Sequence, residues 1–178
     1  MGQAADMDMA SRLVIRPADE LHLAAITDIY NEAVLNTTAT FDSSPKDLKE
    51  RRAWMLGHRP EHPILVGLIG GEVAGWASLS PHSDRSCYHR TVEDSIYVRN
   101  DLRGRGIGIA LLGRLLLEAK RLGHHAVIAR IDAGNAASLR IHQKLGFVEV
   151  GRLGEVGFKF GRWLDVILME LVLQELAE

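Results

Sequence analysis

The sequence has little of what secreted and membrane-spanning proteins require. Its single cysteine, Cys87, cannot form an intrachain disulfide and cannot nucleate a cysteine-rich zinc site. The longest apolar runs, such as residues 166–169, fall far short of the roughly 20 residues that span a bilayer. The formal net charge of −2 gives no bulk attraction to nucleic acid or to an anionic membrane. We therefore expect a cytoplasmic protein that has neither of these as a partner and whose anion sites are local.

The remaining composition is that of an ordinary folded domain. Hydrophobic residues make up 47% and charged residues 25% of the 178 residues, and a chain of this length is expected to form one domain. Residues 1–12 lack the cationic and apolar regions of a signal peptide, so we interpret them as a flexible N-terminal tail. The predicted domain covers residues 13–173.

Hydrophobic periodicity and turn residues predict helices mixed with strands. Asp19 is a predicted helix N-cap, Pro45 is typical of the first position of a helix, and Gly70 with Gly71 indicates a tight hairpin turn. One parallel crossing among antiparallel strands favours an α/β fold with a single sheet. The predicted elements are strand 13–15 ending at Pro17, helix 21–36, a helix from Pro45 to near Arg59, strands 64–69, 73–79 and 91–98, helix 107–122, strand 126–131, helix 135–145, and strands 147–156 and 163–173.

A glycine-rich turn, residues 103–108, lies between a predicted strand and the most periodic helix. Glycines let the backbone approach a ligand closely, and the first turn of a helix presents unpaired N–H groups with the positive end of its dipole. Arg103 and Arg105 add two guanidinium groups, which suit phosphate oxygens. The turn therefore predicts an anion cradle.

Other interpretations of this turn remain open. It could be a tight turn with solvated arginines. It is not a P-loop, because the Lys-Ser/Thr pair of that motif is missing. A dinucleotide site would need G-x-G-x-x-G directly after the strand, whereas these glycines run G-x-G-x-G and begin several residues beyond Val98. Asp132, at the end of the next predicted strand, keeps that alternative open.

The motif Arg103-x-x-Gly106-x-Gly108 resembles the [Q/R]-x-x-G-x-[G/A] pyrophosphate signature of the GNAT N-acetyltransferase superfamily. Asn135 and the phrase Lys144-Leu145-Gly146-Phe147 resemble a second conserved segment of that superfamily. Four further segments resemble its phosphinothricin and methionine sulfoximine acetyltransferase branch, namely residues 29–33, 40–41, 91–98 and 160–165.

This resemblance implies a single-domain GNAT fold, a mixed and mostly antiparallel sheet with a splayed parallel pair, flanked by helices. It also implies acetyl-CoA as co-substrate and acetyl transfer to the α-amino group of a small amino-acid analogue. A bulge in strand 91–98 would splay it from its parallel neighbour and free backbone groups for the pantetheine arm. The cofactor-binding residues so implied are Ile96, Tyr97, Val98, Arg103, Gly104, Arg105, Gly106, Ile107, Gly108 and Asn135.

The reaction needs a base, an oxyanion donor and an acid. Glu93 is the predicted base for the acceptor amine, and strand alternation gives it the same face as Ser95 and Tyr97. The alternative is a solvated strand carboxylate. The resemblance directs the Val98 N–H to the thioester oxygen. His142 occupies the place where many superfamily members carry a tyrosine general acid, but a partly exposed helical histidine also needs no function.

An amino-acid acceptor brings a carboxylate, so a cation is expected near the acyl group. Four candidates are unranked by the sequence, namely Arg85, Arg90, Lys159 and Arg162. Tyr30 and Phe41 are predicted to wall the acceptor pocket, although a tyrosine on an apolar helix face is more often core. Asn135, besides binding the pantetheine arm, would serve as a helix N-cap.

Residues 156–163 resemble a segment that packs at a dimer interface in this branch, so we expect a homodimer; Trp163 lies there or is buried. No metal is expected: His58 and His62 are four apart, but prolines break the helix that would align them, and His124 and His125 point to opposite sides of a strand. The predicted function is an acetyl-CoA-dependent N-acetyltransferase. A CoA-binding sensor without turnover is the main alternative, and a nicotinamide oxidoreductase is the third.

Overall fold

The computed structural model describes residues 13–173, so the predicted tail 1–12 lies outside the described residues. The strands are β1 (Val14–Pro17), β2 (Ile64–Ile69), β3 (Glu72–Pro81), β4 (Thr91–Val98), β5 (Ala126–Asp132), β6 (Val148–Lys159) and β7 (Arg162–Val172). The helices are α1 (Leu23–Asn36), α2 (Leu48–Gly57), α3 (Ile107–Arg121) and α4 (Ala136–Lys144), with single 3-10 turns at Glu20–His22, Ser86–Tyr88 and Asn100–Leu102.

The seven strands form one sheet in the order β1-β2-β3-β4-β5-β7-β6. Among these described strands only β4 and β5 pair in parallel, and the other neighbours are antiparallel. The predicted α/β fold, with one mixed and mostly antiparallel sheet, is therefore confirmed. Such a sheet is unlike the parallel sheet of dinucleotide-binding domains, and this removes the main structural support for the oxidoreductase alternative.

Helices cover both faces of the sheet. Neighbouring residues of a strand point to opposite faces, and the strands place apolar side chains on each of them. On one face Leu65 and Ala77 pack in a core with Leu111 and Leu115 of α3. On the other face Val66 and Trp76 pack in a core with Ile26 of α1. No helix in the described part of the chain is both long and apolar enough to cross a membrane.

Helix α2 begins later than the proline suggested. Asp47 is its N-cap: the carboxylate accepts a hydrogen bond from the Glu50 N–H, and the Asp47 N–H donates to the Glu50 carboxylate, each at 2.8 Å. This reciprocal capping box satisfies two helix N-terminal donors, which Pro45 cannot do. The helix therefore starts at Leu48, and the prediction of a start at Pro45 is wrong.

Strand β6 forms an edge of the sheet and is longer than predicted. Its ladder with β7 shifts register between Leu153 and Gly157, where Glu155 has a φ of 54°. Trp163, at the start of β7, is 60% exposed, so it is not buried in this fold. Several large apolar side chains are exposed beside it, namely Val148, Val150, Leu153, Val156, Phe158 and Phe160.

Candidate active site

The glycine-rich turn forms an open cradle at the start of α3. Gly104 and Gly106 have φ values of 80° and 82°, a region that favours glycine, and a Cβ at either position would meet no atom within 4 Å. Gly106 is the N-cap and offers no side-chain hydrogen bond to the helix. The first intrahelical bond runs from the Ala110 N–H to the Gly106 carbonyl, which leaves the N–H groups before Ala110 without an intrahelical acceptor. The local structure thus has the backbone geometry of an anion site.

Arg103 is held between α1 and β4. Its Nη2 donates to Glu32 Oε2 at 2.6 Å, and its Nε donates to the Val98 carbonyl at 3.2 Å. The guanidinium therefore lies at the junction of the cradle and the end of β4. A phosphate that binds Arg103 there would compete with the Glu32 carboxylate for the same donor.

Strands β4 and β5 separate after a short contact. They share three residue pairs, from Thr91–Ala126 to Glu93–Ile128, and residues 94–98 have no partner on β5. Strand β5 instead stays paired with β7 along its whole length. The β3 ladder runs from Gly75–Val98 to Pro81–Val92 without a register shift, so the expected bulge is not present in it. The splay arises because β5 leaves β4 for β7.

Backbone direction divides the three residues predicted to hold the pantetheine arm. The Arg99 N–H donates to the Ala74 carbonyl of the β3 side at 2.9 Å. Because hydrogen-bonding direction alternates along a strand, the Tyr97 backbone also faces β3, whereas the backbone groups of Ile96 and Val98 face the opening beside β5. The geometry therefore leaves Ile96 and Val98, but not Tyr97, with backbone groups directed into the splay.

Glu93 occupies the point where the two strands part. It is the last β4 residue paired with β5, lies opposite Ser80 of β3, and its side chain is 22% exposed. His82 Nδ1 lies 2.9 Å from Glu93 Oε1. The His82 ring in turn packs edge-on against Tyr88, with centroids 5.4 Å apart. His82 was not among the residues predicted from the sequence. Its position as the first residue of the loop between β3 and β4 was the one signal that could have suggested it.

His142 is buried rather than partly exposed. Its Nδ1 lies 2.8 Å from the Ser138 carbonyl and its Nε2 lies 3.1 Å from Asp94 Oδ2, with the side chains of His142 and Asp94 3% and 2% exposed. Burial opposes a charged ring, but the hydrogen bond and the charge of Asp94 outweigh it and raise the pKa of His142 above its usual value. Asp94 is the first β4 residue that is not paired with β5. Its Oδ1 atom is buried without a hydrogen-bond partner among the described residues.

Asn135 is the N-cap of α4, as predicted. Its side-chain oxygen accepts a hydrogen bond from the Ser138 N–H at 3.1 Å. Asp132, at the end of β5, is 4% exposed and accepts a hydrogen bond from the Thr38 hydroxyl at 2.5 Å. A carboxylate engaged in this way is not open to a ribose, which removes the remaining support for a dinucleotide site.

A cavity of about 360 Å³ opens on the face of the sheet that carries Glu93. Its lining residues are Tyr30, Asp42, Lys46, Glu50, Arg51, Trp54, His58, Trp76, Ser78, Ser80, Ser95 and Tyr97. Tyr30 lines this cavity: its hydroxyl donates to Asp42 Oδ2 at 2.7 Å, and burial together with that hydrogen bond raises its pKa to about 12. Phe41 does not line the cavity and packs beside Gly157 of β6.

None of the four predicted cations lines the cavity. Arg85 and Arg162 are exposed, the Arg90 Nε donates to the Gly123 carbonyl at 2.8 Å, and the buried Lys159 donates to the Thr40 carbonyl at 2.8 Å. The buried cation at the cavity is Arg51 of α2, which the sequence analysis did not select. A weak signal existed, because Arg51 and Trp54 are three apart and so share a helix face.

The histidines do not assemble a metal site within residues 13–173, where no three metal-binding side chains come together. His124 precedes β5 and its ring stacks on that of His62, with centroids 5.6 Å apart. His124 Nε2 also lies 2.7 Å from the Glu61 carbonyl. The expectation that His124 and His125 point to opposite sides of a strand is therefore wrong, because both residues precede β5.

An acetyltransferase family model matches this architecture and this sequence. The chain belongs to the GNAT family of acetyltransferases, whose model matches residues 25–147. The predicted family is thereby confirmed.

Individual relatives have names that are more specific than the family. The chain is 45% identical over 159 residues to an L-methionine sulfoximine/L-methionine sulfone acetyltransferase of Pseudomonas aeruginosa, covering 88% of this chain and 92% of that protein. It is 36% identical to a phosphinothricin N-acetyltransferase of Streptomyces coelicolor, over 92% of this chain and 98% of that protein. The crystal structure of a GNAT superfamily phosphinothricin acetyltransferase from Sinorhizobium meliloti, in complex with acetyl-CoA, superposes with a TM-score of 0.88 at 37% identity, over 91% of this chain and 89% of that one.

Proposed function

We propose that this protein transfers the acetyl group of acetyl-CoA to the α-amino group of a small amino-acid analogue such as methionine sulfoximine or phosphinothricin. The observation that carries the proposal is the position of Glu93. It is the last β4 residue paired with β5, and strand alternation puts it on the same sheet face as Ser95 and Tyr97, which line the cavity. The named activities of the relatives at 36% and 45% identity support the same acceptor class.

The donor residues act by binding and orientation. The N–H groups at the start of α3 and the guanidinium of Arg103 bind the pyrophosphate, and Ile96 and Val98 offer backbone groups to the pantetheine arm. The Val98 N–H donates a hydrogen bond to the thioester oxygen as negative charge develops on it. Asn135 joins this set through its side-chain amide. These assignments are supported by the open glycines and by the unpaired edge of residues 94–98.

The proton transfers involve two separate carboxylate–histidine pairs. Glu93 takes a proton from the acceptor amine, whose nitrogen then forms the C–N bond as the C–S bond breaks. The His82 contact at 2.9 Å orients the Glu93 carboxylate. His142, whose pKa is raised by its contact with Asp94, returns a proton to the departing thiolate. For this transfer the Nε2–H of His142 must leave its hydrogen bond to Asp94 Oδ2. The other oxygen of that carboxylate, Oδ1, has no partner among the described residues.

Thiol release tests this function. We expect free thiol to appear when the protein is mixed with acetyl-CoA and L-methionine sulfoximine, and not with a peptide whose only free amine is a lysine side chain. A CoA-binding sensor would bind acetyl-CoA and release no thiol beyond slow hydrolysis with any amino-acid analogue. That second outcome would replace the enzyme by the sensor.

We also propose that the protein is a cytoplasmic homodimer. The single cysteine is compatible with a reducing compartment. The exposed apolar side chains of β6, with Phe158 and Trp163 in edge-on contact at 5.1 Å, form a surface that a second copy could cover. Light scattering should give twice the chain mass, and Trp163→Lys should shift it toward the mass of one chain.

A further inference from the structure

The guanidinium of Arg51 is buried without a hydrogen bond at one of its edges. Arg51 is 5% exposed, and its Nε and Nη2 atoms are buried and have no partner among the described residues. Its contacts are with rings: the Cζ atom lies 3.7 Å from the centroid of Trp54, 4.5 Å from that of Tyr30 and 5.3 Å from that of Trp76. Rings offer a cation a favourable face, but they do not satisfy N–H donors directed along the plane of the guanidinium.

The two unpaired atoms belong to one edge of the guanidinium, which presents parallel N–H groups. The same edge of Arg99 binds both carboxylate oxygens of Asp101 in this protein, with Nε–Oδ1 at 2.8 Å and Nη2–Oδ2 at 3.1 Å. This fork geometry matches a carboxylate and distinguishes Arg from Lys. A buried edge of this kind that lacks a partner is costly. The surrounding side chains cover both atoms, and a ligand in the cavity that moves this cover aside and supplies two oxygens would satisfy both donors.

The acidic groups of the cavity are already engaged. Asp42 pairs with Lys46 at 3.3 Å and accepts the Tyr30 hydroxyl hydrogen bond. The Glu50 carboxylate accepts the Asp47 N–H in the capping box of α2. The lining thus carries two carboxylates and two cations. Lys46 is paired with Asp42, whereas the Nε and Nη2 atoms of Arg51 have no partner among the described residues, and a carboxylate of a bound ligand would supply one.

We propose that Arg51 binds the α-carboxylate of the acceptor and so makes a free carboxylate a requirement for efficient acetylation. The inference rests on the proposed function and names the group within that acceptor that the cavity recognises. The rings that surround Arg51 exclude water from the ion pair and provide an apolar wall for the acceptor side chain. Arg51 takes the role for which the sequence had offered Arg85, Arg90, Lys159 and Arg162.

The test compares L-methionine sulfoximine with its carboxamide, which keeps the α-amine but lacks the negative charge. Arg51→Met keeps much of the length of the side chain and removes the charge, and Arg52→Met is the matched control. Arg52 is the next residue of α2, is exposed and pairs with Glu20 at 2.5 Å, away from the cavity lining. Thiol release gives kcat and KM for both acceptors, and thermal unfolding with acetyl-CoA titration checks that each variant is folded.

We expect Arg51→Met to raise KM for methionine sulfoximine on the order of 10- to 100-fold, with the KM of the carboxamide unchanged. Arg51→Lys should recover part of the loss, and Arg52→Met should match the wild type. A loss that is equal for both acceptors would make Arg51 a packing residue and overturn the proposal.

A second pair of acceptors, L-methionine sulfone and L-methionine, separates binding of the carboxylate from binding of the side-chain oxygens. If Arg51→Met abolishes the preference for L-methionine sulfone over L-methionine while the carboxylate preference stays, the arginine binds the side-chain oxygens and the proposal is wrong. Failure of the wild-type protein to acetylate any of these amino acids refutes the proposed function itself, and this result is visible before any variant is compared.

Discussion

Replacing Glu93 by glutamine separates its charge from its shape. The amide side chain of the Glu93→Gln variant would keep an oxygen within reach of His82 Nδ1, which lies 2.9 Å from the present carboxylate. The β3 ladder and the cradle do not depend on the side-chain charge, so the fold and the acetyl-CoA affinity should stay the same. The loss of the base alone should lower turnover on the order of 10²- to 10⁴-fold.

The pH dependence of this loss follows from the acceptor amine. A peptide α-amine has a pKa of about 8, and the ionised carboxylate of a free amino acid raises that pKa further, so at most roughly a tenth of the acceptor amine is neutral at about pH 7. A rise to about pH 9.5 supplies far more of the deprotonated nucleophile that Glu93 would otherwise generate. The deficit of the Glu93→Gln variant should therefore shrink by about tenfold or more across this range.

Turnover by thiol release, measured for wild type and variant across the same pH range, tests this reasoning. Binding of acetyl-CoA is measured by calorimetry as the control. Residual activity is expected, because positioning of two reactants alone can contribute about 7 to 11 kcal/mol. A folded variant that is fully active near neutral pH, or equally impaired at both ends of the range, would refute a role of Glu93 as the base.

Four further substitutions test the cradle and the contact between His142 and Asp94. Gly106→Val places a side chain at a φ of 82°, which costs about 1 to 2 kcal/mol. A Cβ at this position meets no atom within 4 Å, so the domain should fold and should bind acetyl-CoA more weakly, as measured by calorimetry. An unchanged Kd would contradict the cradle. Arg103→Ala should lose about 1.5 to 3 kcal/mol, or tenfold or more in Kd, whereas Glu32→Gln should not weaken binding; equal Kd values for Arg103→Ala and wild type would remove this arginine from the site. Asp94 raises the pKa of His142, so their contact stabilises the fold below about pH 6.5 and loses this effect as pH rises through the raised pKa. Asp94→Asn should therefore flatten the dependence of the unfolding temperature on pH. Parallel curves of unfolding temperature against pH for the variant and the wild type would argue against this contribution.

Local sequence signals predicted the local structure well. Asn135 caps α4 as expected, and Gly70 with Gly71 turns the predicted hairpin with φ values of 59° and 88°. Asp19 caps the 3-10 turn Glu20–His22 rather than α1 itself, whose N-cap is His22. The start of α3 at Ile107 was predictable because apolar periodicity and the preceding glycines agree. The start of α2 was missed, although the capping box of Asp47 and Glu50 could be read from the sequence.

Long-range contacts determined what the sequence could not predict. Arg51 resembles a surface residue of a charged helix until Trp76, 25 positions further along the chain, packs near its guanidinium. The raised pKa of the buried His142 depends on Asp94, which lies opposite on β4. Neither pairing leaves a periodic signature, because each depends on how a helix packs across the sheet.

The cavity and the cradle are encoded one after the other along the chain. The cavity lining runs from Tyr30 to Tyr97, and the cradle runs from Arg103 to Gly108, with the end of β4 between them. Strand β4 leads from one to the other, since one of its faces carries cavity-lining residues and its edge beyond Glu93 is not paired with β5. Substitutions that reshape the cavity lining therefore fall outside residues 103–108, so the cavity can change while the sequence of the cradle stays the same.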